Sequence, residues 1–393
     1  MRSPPQDAIR LADAARERYA VYAYSRYWQR ETIAGATAVV VGAGALGNEV
    51  VKNLVLLGWG RIAVVDFDRV EAANLTRSVF FRPSDVGSGI PKAVALAVRA
   101  GELNPDARIR PVCADVNGGL GLGWLCQADV VLGCLDNRLA RLAINAMAQR
   151  AQTPWVDGAI AELDGSVAVY LPGQGACYRC TLGRADWQQI SHRRSCAWKE
   201  HQAWQLGKVA TTPTIASVIG AMQVQEALKL LHGLPVQPGT KLHFLGAVNE
   251  ADRTVYARRP DCVAHEAWGD VVELPLGSAH ATLHDLLSAA APHLPGTPAE
   301  LCLTRDAIAA LTCPGCGRRI SLRPPRRVLA AGADRCPDCR LELQSPELLP
   351  VLAASDYGAF TLRELGVPLW DVVQVADDAG NTRAFELAGD RPW

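Results

Sequence analysis

No sign of charge dominates this chain: forty Lys and Arg are balanced by forty Asp and Glu over 393 residues. It carries neither a basic nor an acidic tail, so the electrostatic footprint of a non-specific nucleic-acid binder is missing. No apolar run reaches the roughly 18 residues of a membrane-spanning helix. The N-terminus is polar and has no apolar core of the kind a secretory signal carries. A cytoplasmic protein that binds no nucleic acid and enters no membrane is therefore expected. What the chain does have is apolar residues, 49% of the total, which is ample for a core. Its length suits two or three domains at roughly 100–200 residues each. Cysteine is also plentiful, at twelve. Several of these stand in Cys-x-x-Cys pairs, which points to a reducing compartment and metal binding rather than to disulfides.

The stretch over 38–77 organises the rest. An apolar β-branched run, Val39 to Val41, meets Gly42, Gly44 and Gly47, and a helical pattern follows from Leu46 to Leu57. A second strand, Arg61 to Val65, ends on Asp66. Strand, glycine-rich turn, helix, strand and acid form the layout of a nucleotide-binding βαβ unit. The glycines permit a tight turn and close approach of the backbone to a phosphate, and the helix N-terminus offers unpaired N–H groups. Asp66 stands where a carboxylate accepts ribose hydroxyls. Taken alone, the motif defaults to a dinucleotide site, with a dehydrogenase as first competitor. Ahead of it, Ala8, Leu11, Ala14, Ala15, Tyr19 and Tyr22 recur at helical spacing and predict one helix over 7–30 that contains Arg26 and Arg30. The bland alternative for those arginines is a solvated helix face.

Downstream come Asp68, Asn74, Arg77 and a loop with Gly87, Gly89 and Pro91, after which Lys92 opens a helix to Leu103. Strands are expected at 108–113, at 128–134 before Asp136-Asn137, and at 153–156 before Asp157-Gly158. Strands alternating with helices imply a parallel, doubly wound α/β sheet. Ligands on such sheets bind beyond the carboxyl ends of the strands, so Asp66, Asp68 and Asp136 converge on one crevice. A hydride-transfer enzyme needs no cluster of Arg77, Lys92 and Asp136 around its nucleotide. A nucleotidyl-transfer site does, because charge builds on the α-phosphate and on the departing pyrophosphate, where fixed cations and a metal-binding carboxylate lower the barrier.

Together, Gly42-x-Gly44-x-x-Gly47, Asp66-x-Asp68, Asn74, Arg77, Lys92 and Asp136-Asn137 resemble the Rossmann-like adenylation domain shared by the MoeB/ThiF proteins and the ubiquitin-activating enzymes. The likeness covers about residues 20–260. It implies that the glycine turn holds ATP, that Asp66 holds the ribose and that Asn74 and Arg77 contact phosphates. It further implies that Lys92 neutralises the β- and γ-phosphates and that Asp136 positions Mg2+. The family acts through dimers, homodimeric or heterodimeric, and takes an arginine from the partner's N-terminal helix. Arg26 is the first choice for that role and Arg30 the second.

Cys177-Tyr-Arg-Cys180 is either a redox motif or half of a zinc site. It follows Gly-Gln-Gly rather than opening a helix beside a βαβ unit, so it needs a second half. Cys262-Val-Ala-His265 supplies one, and Cys3His zinc with every position filled by protein is structural. In the bland alternative Cys262 and His265 are unrelated surface residues. Between the halves, 183–208 is polar and predicts a long crossover loop, a feature that is usually functional. A helix then begins after Thr211-Thr-Pro-Thr. This order resembles activating enzymes that carry their substrate as a thioester, and the resemblance makes Cys196 the nucleophile. Arg193, Arg194 and Lys199 favour its thiolate. Cys113, Cys126, Cys134 and Cys302 are expected in the core.

Three units follow: an N-terminal helix over 1–35, an adenylation domain over 36–265 with its crossover loop at about 183–210, and a C-terminal domain over 266–393. In the last, a strand near 271, a helix over 282–291 and a hairpin over 372–387 predict a smaller α+β, β-grasp-like domain. It resembles the ubiquitin-fold domain that recruits the conjugating enzyme; an unrelated small α+β domain is the alternative. Within it, Cys313-Pro-Gly-Cys316 and Cys336-Pro-Asp-Cys339 form a zinc-ribbon pattern over about 311–342. Arg318, Arg319, Arg323, Arg326 and Arg327 between the knuckles fit a solvated or protein-docking surface better than nucleic acid. The function expected is ATP-dependent activation of a ubiquitin-like protein, by C-terminal adenylation and then thioester formation on Cys196, for transfer to a conjugating enzyme. The alternative is MoeB/ThiF-type activation of a sulfur-carrier protein. A non-catalytic scaffold is disfavoured by intact Asp66, Arg77, Lys92 and Asp136.

Overall fold

The computed structural model describes residues 18–25, 27–195, 210–326 and 335–393. The single helix expected over 7–30 is not what its described part forms. Ala20–Tyr24 is a 3-10 turn, Ser25 is extended, and α1 (Arg30–Gly35) begins anew. Aromatic docking overrides helical periodicity here. The Tyr19 and Tyr22 rings lie 5.7 and 5.3 Å from that of Trp28, whose Nε1–H donates to the Leu57 carbonyl at 3.1 Å.

β1 (Thr37–Val41), α2 (Ala45–Leu57) and β2 (Arg61–Val65) form the first βαβ unit. Then come α3 (Lys92–Leu103), β3 (Arg108–Val112), α4 (Gly123–Cys126), β4 (Val130–Gly133), α5 (Arg138–Ala151) and β5 (Trp155–Ala161). β6 (Asp164–Tyr170) turns back antiparallel. After α6 (Tyr178–Thr181), α7 (Arg184–Ser195) and α8 (Pro213–Leu231), β7 (Thr240–Leu245) and β8 (Glu250–Val255) complete an eight-stranded sheet of order β3-β2-β1-β4-β5-β6-β7-β8. The first five strands are parallel and the rest antiparallel. Because both faces are covered, each central strand feeds two cores by simple alternation. Ala38, Val40, Ile62 and Val64 face α2, α3 and α8, while Val39, Val41, Ala63 and Val65 face the α5 side. α7 replaces the first half of the expected crossover loop. Its start is pinned by the Arg138–Asp186 ion pair at 2.9 Å and by Gly183 N–H on Asp186. Among the described residues no helix is long and apolar enough to cross a membrane.

A second sheet is built from β9 (Val271–Leu274), β10 (Pro298–Thr312), β11 (Arg319–Arg326), β12 (Gln344–Ala353), β13 (Val372–Asp377) and β14 (Thr382–Leu387). Its order is β11-β10-β13-β14-β9, with β12 also on β10 and β9 parallel to β14. α9 (Leu283–Ala290), begun by a Thr282–Asp285 capping box, lays Leu283, Leu286 and Leu287 on Leu301, Val375 and Phe385. The helix is entered from one strand and followed by a long strand, the short α10 (Ala354–Tyr357) and the terminal hairpin, an α+β arrangement. β10 pairs with β13 at its start and with β11 at its end, so it carries the Cys-x-x-Cys knuckles away from the sheet body.

The two sheets share a seam. Trp370 is fully buried with its ring 5.1 Å from that of Trp124, and its carbonyl accepts the Gly123 N–H at 3.0 Å. Asp371 Oδ1 accepts the Leu122 N–H at 2.8 Å.

Candidate nucleotide site and metal centres

The parallel sheet reverses direction of growth between β1 and β4, and a crevice opens at such a switch point. Its floor is the glycine turn. Gly42 has φ +103°, and a Cβ there would lie 2.3 Å from the Cys134 carbonyl oxygen. A Cβ on Gly47 would lie 1.9 Å from the Gly42 carbonyl oxygen, so helix and turn touch only through glycine. Gly44 differs: nothing lies within 4 Å of its added Cβ. It is the N-cap of α2 and no side chain caps that end, so the first N–H groups of the helix have no side-chain acceptor.

Asp66 ends β2 and ties the turn to the next loop. Its Oδ2 accepts the Ala43 N–H at 2.7 Å and its Oδ1 the Asp68 N–H at 2.8 Å. Burial pushes its carboxyl above the ordinary value, against the pull of Lys92 and the Ala43 N–H. Lys92 Nζ pairs with Asp68 Oδ2 at 2.7 Å and the Lys92 N–H donates to the Asp68 carbonyl, so the amine is brought to the end of β2. Asn74 is buried, and its Oδ1 accepts the Glu71 N–H at 2.9 Å in a 3-10 turn. Arg77 follows on that turn, half-buried, with no ion pair among the described residues. Asp136 is exposed beyond β4, where Asn137 Nδ2 donates to its Oδ1 at 3.3 Å. Arg30 lies over the Tyr19 ring at 5.7 Å, while Arg26 and Cys196 lie outside the described residues.

Three residues of this site carry no motif that marks them in the sequence. Asn48 braces the turn, donating to the Ala43 and Gly44 carbonyls at 2.9 Å each and accepting the Phe80 N–H. An Asn set in an apolar helix is the only signal that points to it. Arg141 and Asp157 form a buried ion pair behind Asp136. Cys113 is the correction: expected in the core, it is exposed at the end of β3. That strand lies at the sheet margin, and its thiol is raised first by partial burial and then by Asp66.

Among the described residues, two clusters of four ligand atoms fit a metal. Cys177, Cys180, Cys262 and His265 lie within 4.8 Å of one another, as do Cys313, Cys316, Cys336 and Cys339. Tetrahedral zinc with Zn–S near 2.3 Å sets sulfur atoms about 3.8 Å apart. The first cluster has Cys177–Cys180 at 3.7 Å, Cys177–Cys262 at 3.8 Å and Cys180 Sγ–His265 Nε2 at 3.3 Å. The second has 3.2, 3.7 and 3.9 Å. Burial, with Arg258 next, lowers the His265 pKa and keeps its imidazole in the neutral form that ligates. Asn145 Nδ2 and the Arg259 N–H point at Cys177 and Cys180 sulfur atoms. Around the second cluster Arg318 pairs with Asp338 and Arg319 with Glu347, both at 2.6 Å, which cancels part of the basic run.

Doubly wound sheet, glycine turn at the switch point, acid at the end of β2 and a cation at the start of α3 define a nucleotide-binding protein of the Rossmann-like class. A model of the ThiF family matches residues 19–264, and the chain belongs to that family. It is 35% identical over 239 residues to the sulfur carrier protein adenylyltransferase of Thermus thermophilus, covering 59% of this chain and 83% of that one. To the SAMP-activating enzyme E1 of Haloferax volcanii it is 34% identical over 237 residues, covering 60% and 82%. Of other, longer relatives it spans about half. The fold is that of E. coli MccB, solved with ATP, at a TM-score of 0.51 and 21% identity over 63% of this chain and 74% of that one.

Proposed function

We propose that this protein uses ATP to adenylate the C-terminal carboxylate of a small ubiquitin-like or sulfur-carrier protein. One observation carries the reading: in a ThiF-family chain, Lys92 is paired to Asp68 beside a glycine turn whose helix N-terminus no side chain caps and whose Gly44 leaves space for a ligand. A dehydrogenase has no use for that lysine. The phosphates lie along Gly44 and the α2 N-terminus, Asp66 accepts the ribose hydroxyls, and Arg77 and Lys92 meet the charge on the phosphates, Lys92 exchanging Asp68 for the nucleotide. Asn74 shapes the turn that presents Arg77. Asp136, with an exposed carboxylate, fits Mg2+, which supplies charge neutralisation to the departing pyrophosphate. The carrier's carboxylate oxygen attacks the α-phosphorus, the bond to pyrophosphate breaks, and an acyl-adenylate remains. Arg26, or Arg30, from a dimer partner completes the charge around the phosphates.

In the finer reading, the carrier is a ubiquitin-like modifier. Cys196 attacks the acyl carbon, AMP leaves, and the C-terminal unit, docked through Trp370, presents a conjugating enzyme. Both cysteine clusters hold structural zinc. The name of the Thermus relative supports a sulfur carrier, in which case the adenylate goes to a sulfur donor, while that of the Haloferax relative is an activating enzyme E1. ATP–pyrophosphate exchange dependent on a carrier protein tests the adenylation; its absence with every candidate carrier rejects it. A reducible adduct on a non-reducing gel that disappears in Cys196→Ala favours the modifier route, and a thiocarboxylate on the carrier rejects it.

A further inference from the structure

Asp136 is exposed, yet its main chain is held from behind by a buried ion pair. Arg141 sits one turn into α5 and is 8% exposed; Asp157, on β5, is 5% exposed. Arg141 Nε donates to Asp157 Oδ2 at 2.9 Å and Oδ1 at 3.1 Å. Nη2 of the same guanidinium donates to two carbonyls, Leu135 at 2.6 Å and Gly158 at 2.9 Å. The Leu135 carbonyl belongs to the peptide bond that leads into Asp136, so this contact sets the plane of that peptide. On the other side, Asn137 caps α5, accepting the Ala140 N–H at 2.8 Å and touching Asp136 Oδ1. The backbone makes room for the pair: a Cβ on Gly133, at the end of β4, would lie 2.9 Å from Asp157 Oδ1 and 2.6 Å from Trp155 Nε1.

A buried Arg–Asp pair is weak evidence for stability, since desolvating both charges offsets most of their attraction. Holding two carbonyls with one planar fork is something an apolar replacement does not do. We propose that Arg141, oriented by Asp157, is a positioning residue for Asp136 and controls the metal-dependent part of nucleotide affinity. This rests on the adenylation reading, in which Asp136 takes Mg2+.

The test is titration of a fluorescent ATP analogue into the full-length protein, with Mg2+ and again with EDTA. The ratio of the two dissociation constants measures the metal's contribution. Wild type binds more tightly with Mg2+, and Asp136→Asn abolishes the gain. Arg141→Lys keeps a cation for Asp157 but cannot serve both carbonyls. It shrinks the ratio about ten-fold or to unity, as loss of a group behind a metal ligand does, with EDTA affinity unchanged. Asp157→Asn, nearly isosteric, gives the same pattern more weakly and keeps the test open if Arg141→Lys fails to fold. An unchanged ratio in folded variants overturns the proposal, as does an equal loss with and without Mg2+, which means a merely structural role. A wild type whose nucleotide affinity ignores Mg2+ defeats the adenylation reading itself, whatever Arg141 does.

Discussion

Asp66→Asn separates two jobs that one carboxylate performs. In the native chain each oxygen accepts a backbone N–H, from Ala43 on one side and Asp68 on the other. Asn has one acceptor oxygen, so one of those N–H groups must face an amide NH2. Leaving a buried donor unpaired costs about 1–3 kcal/mol. The bond that survives loses its charge assistance, about 1 kcal/mol more. Against this, burial already disfavours the charge, since it pushes the Asp66 carboxyl upward, and the neutral amide escapes that penalty. The net expectation is a loss of about 1–3 kcal/mol, read as a lower urea midpoint in tryptophan fluorescence. ATP affinity falls further, because the ribose hydroxyls lose a charged acceptor worth roughly 1.5–3 kcal/mol, about ten- to hundred-fold in Kd. Asp136→Asn is the matched control: its side chain is exposed, so stability stays within about 0.5 kcal/mol while Mg2+-dependent binding is lost. If Asp66→Asn left both the urea midpoint and the ATP affinity at wild-type values, the assignment of this crevice to the nucleotide would be refuted.

Metal analysis is expected to return two zinc ions per chain, with Cys177→Ser and Cys313→Ser each removing one. The first substitution lowers the main unfolding transition, because that site joins segments 85 residues apart; the second perturbs only the β10–β11 arm, and equal effects would contradict the separation of the two centres. Trp370→Phe removes an indole N–H from Glu386, which keeps Arg391 at 2.9 Å, so calorimetry shows a loss of only about 1 kcal/mol. Trp370→Ala costs about 3–5 kcal/mol and loosens the seam between the sheets; a loss no larger than that of Phe would show that the seam carries little. For pH, Asp66 is raised, so the folded chain binds its proton more readily than the unfolded one. Its contribution to stability therefore falls as pH rises from the ordinary carboxylate value through the folded value. Nucleotide affinity moves the opposite way, weakening on acidification earlier than an ordinary carboxylate predicts, and an affinity flat across that range would argue against Asp66 as ribose acceptor.

Short-range chemistry makes much of this protein legible in its sequence. The alternation of apolar strands with helices, the glycines at 42, 44 and 47, Asp66 at a strand end and the Cys-x-x-Cys spacings each encode a local geometry, and each recurs in the fold. Even the partnership of Cys177-Cys180 with Cys262-His265 is readable, since an open half-site demands a second half. Where long-range packing competes with local preference, the local pattern misleads. The helix expected over 7–30 breaks at Ser25 because Trp28 docks against Leu57, and polar residues 184–195 form a helix because Arg138 anchors Asp186. Cys113 is exposed because β3 lies at the margin of its sheet, a fact of strand order that no local pattern contains.

What the sequence determined by itself is the set of chemical parts: turn, acid, cation, ligand pairs. What only the tertiary structure decided is which parts meet. Lys92 reaches Asp68 because residues 66–70 zip against 89–92; the two sheets join at Trp370 because Gly123 leaves room for its ring; and Arg141 stands behind Asp136 because Gly133 leaves space for Asp157. Each of these contacts depends on a missing Cβ or on a neighbouring strand contributed from elsewhere in the chain. Their physical cause is close packing, which is non-local and cannot be read one window at a time.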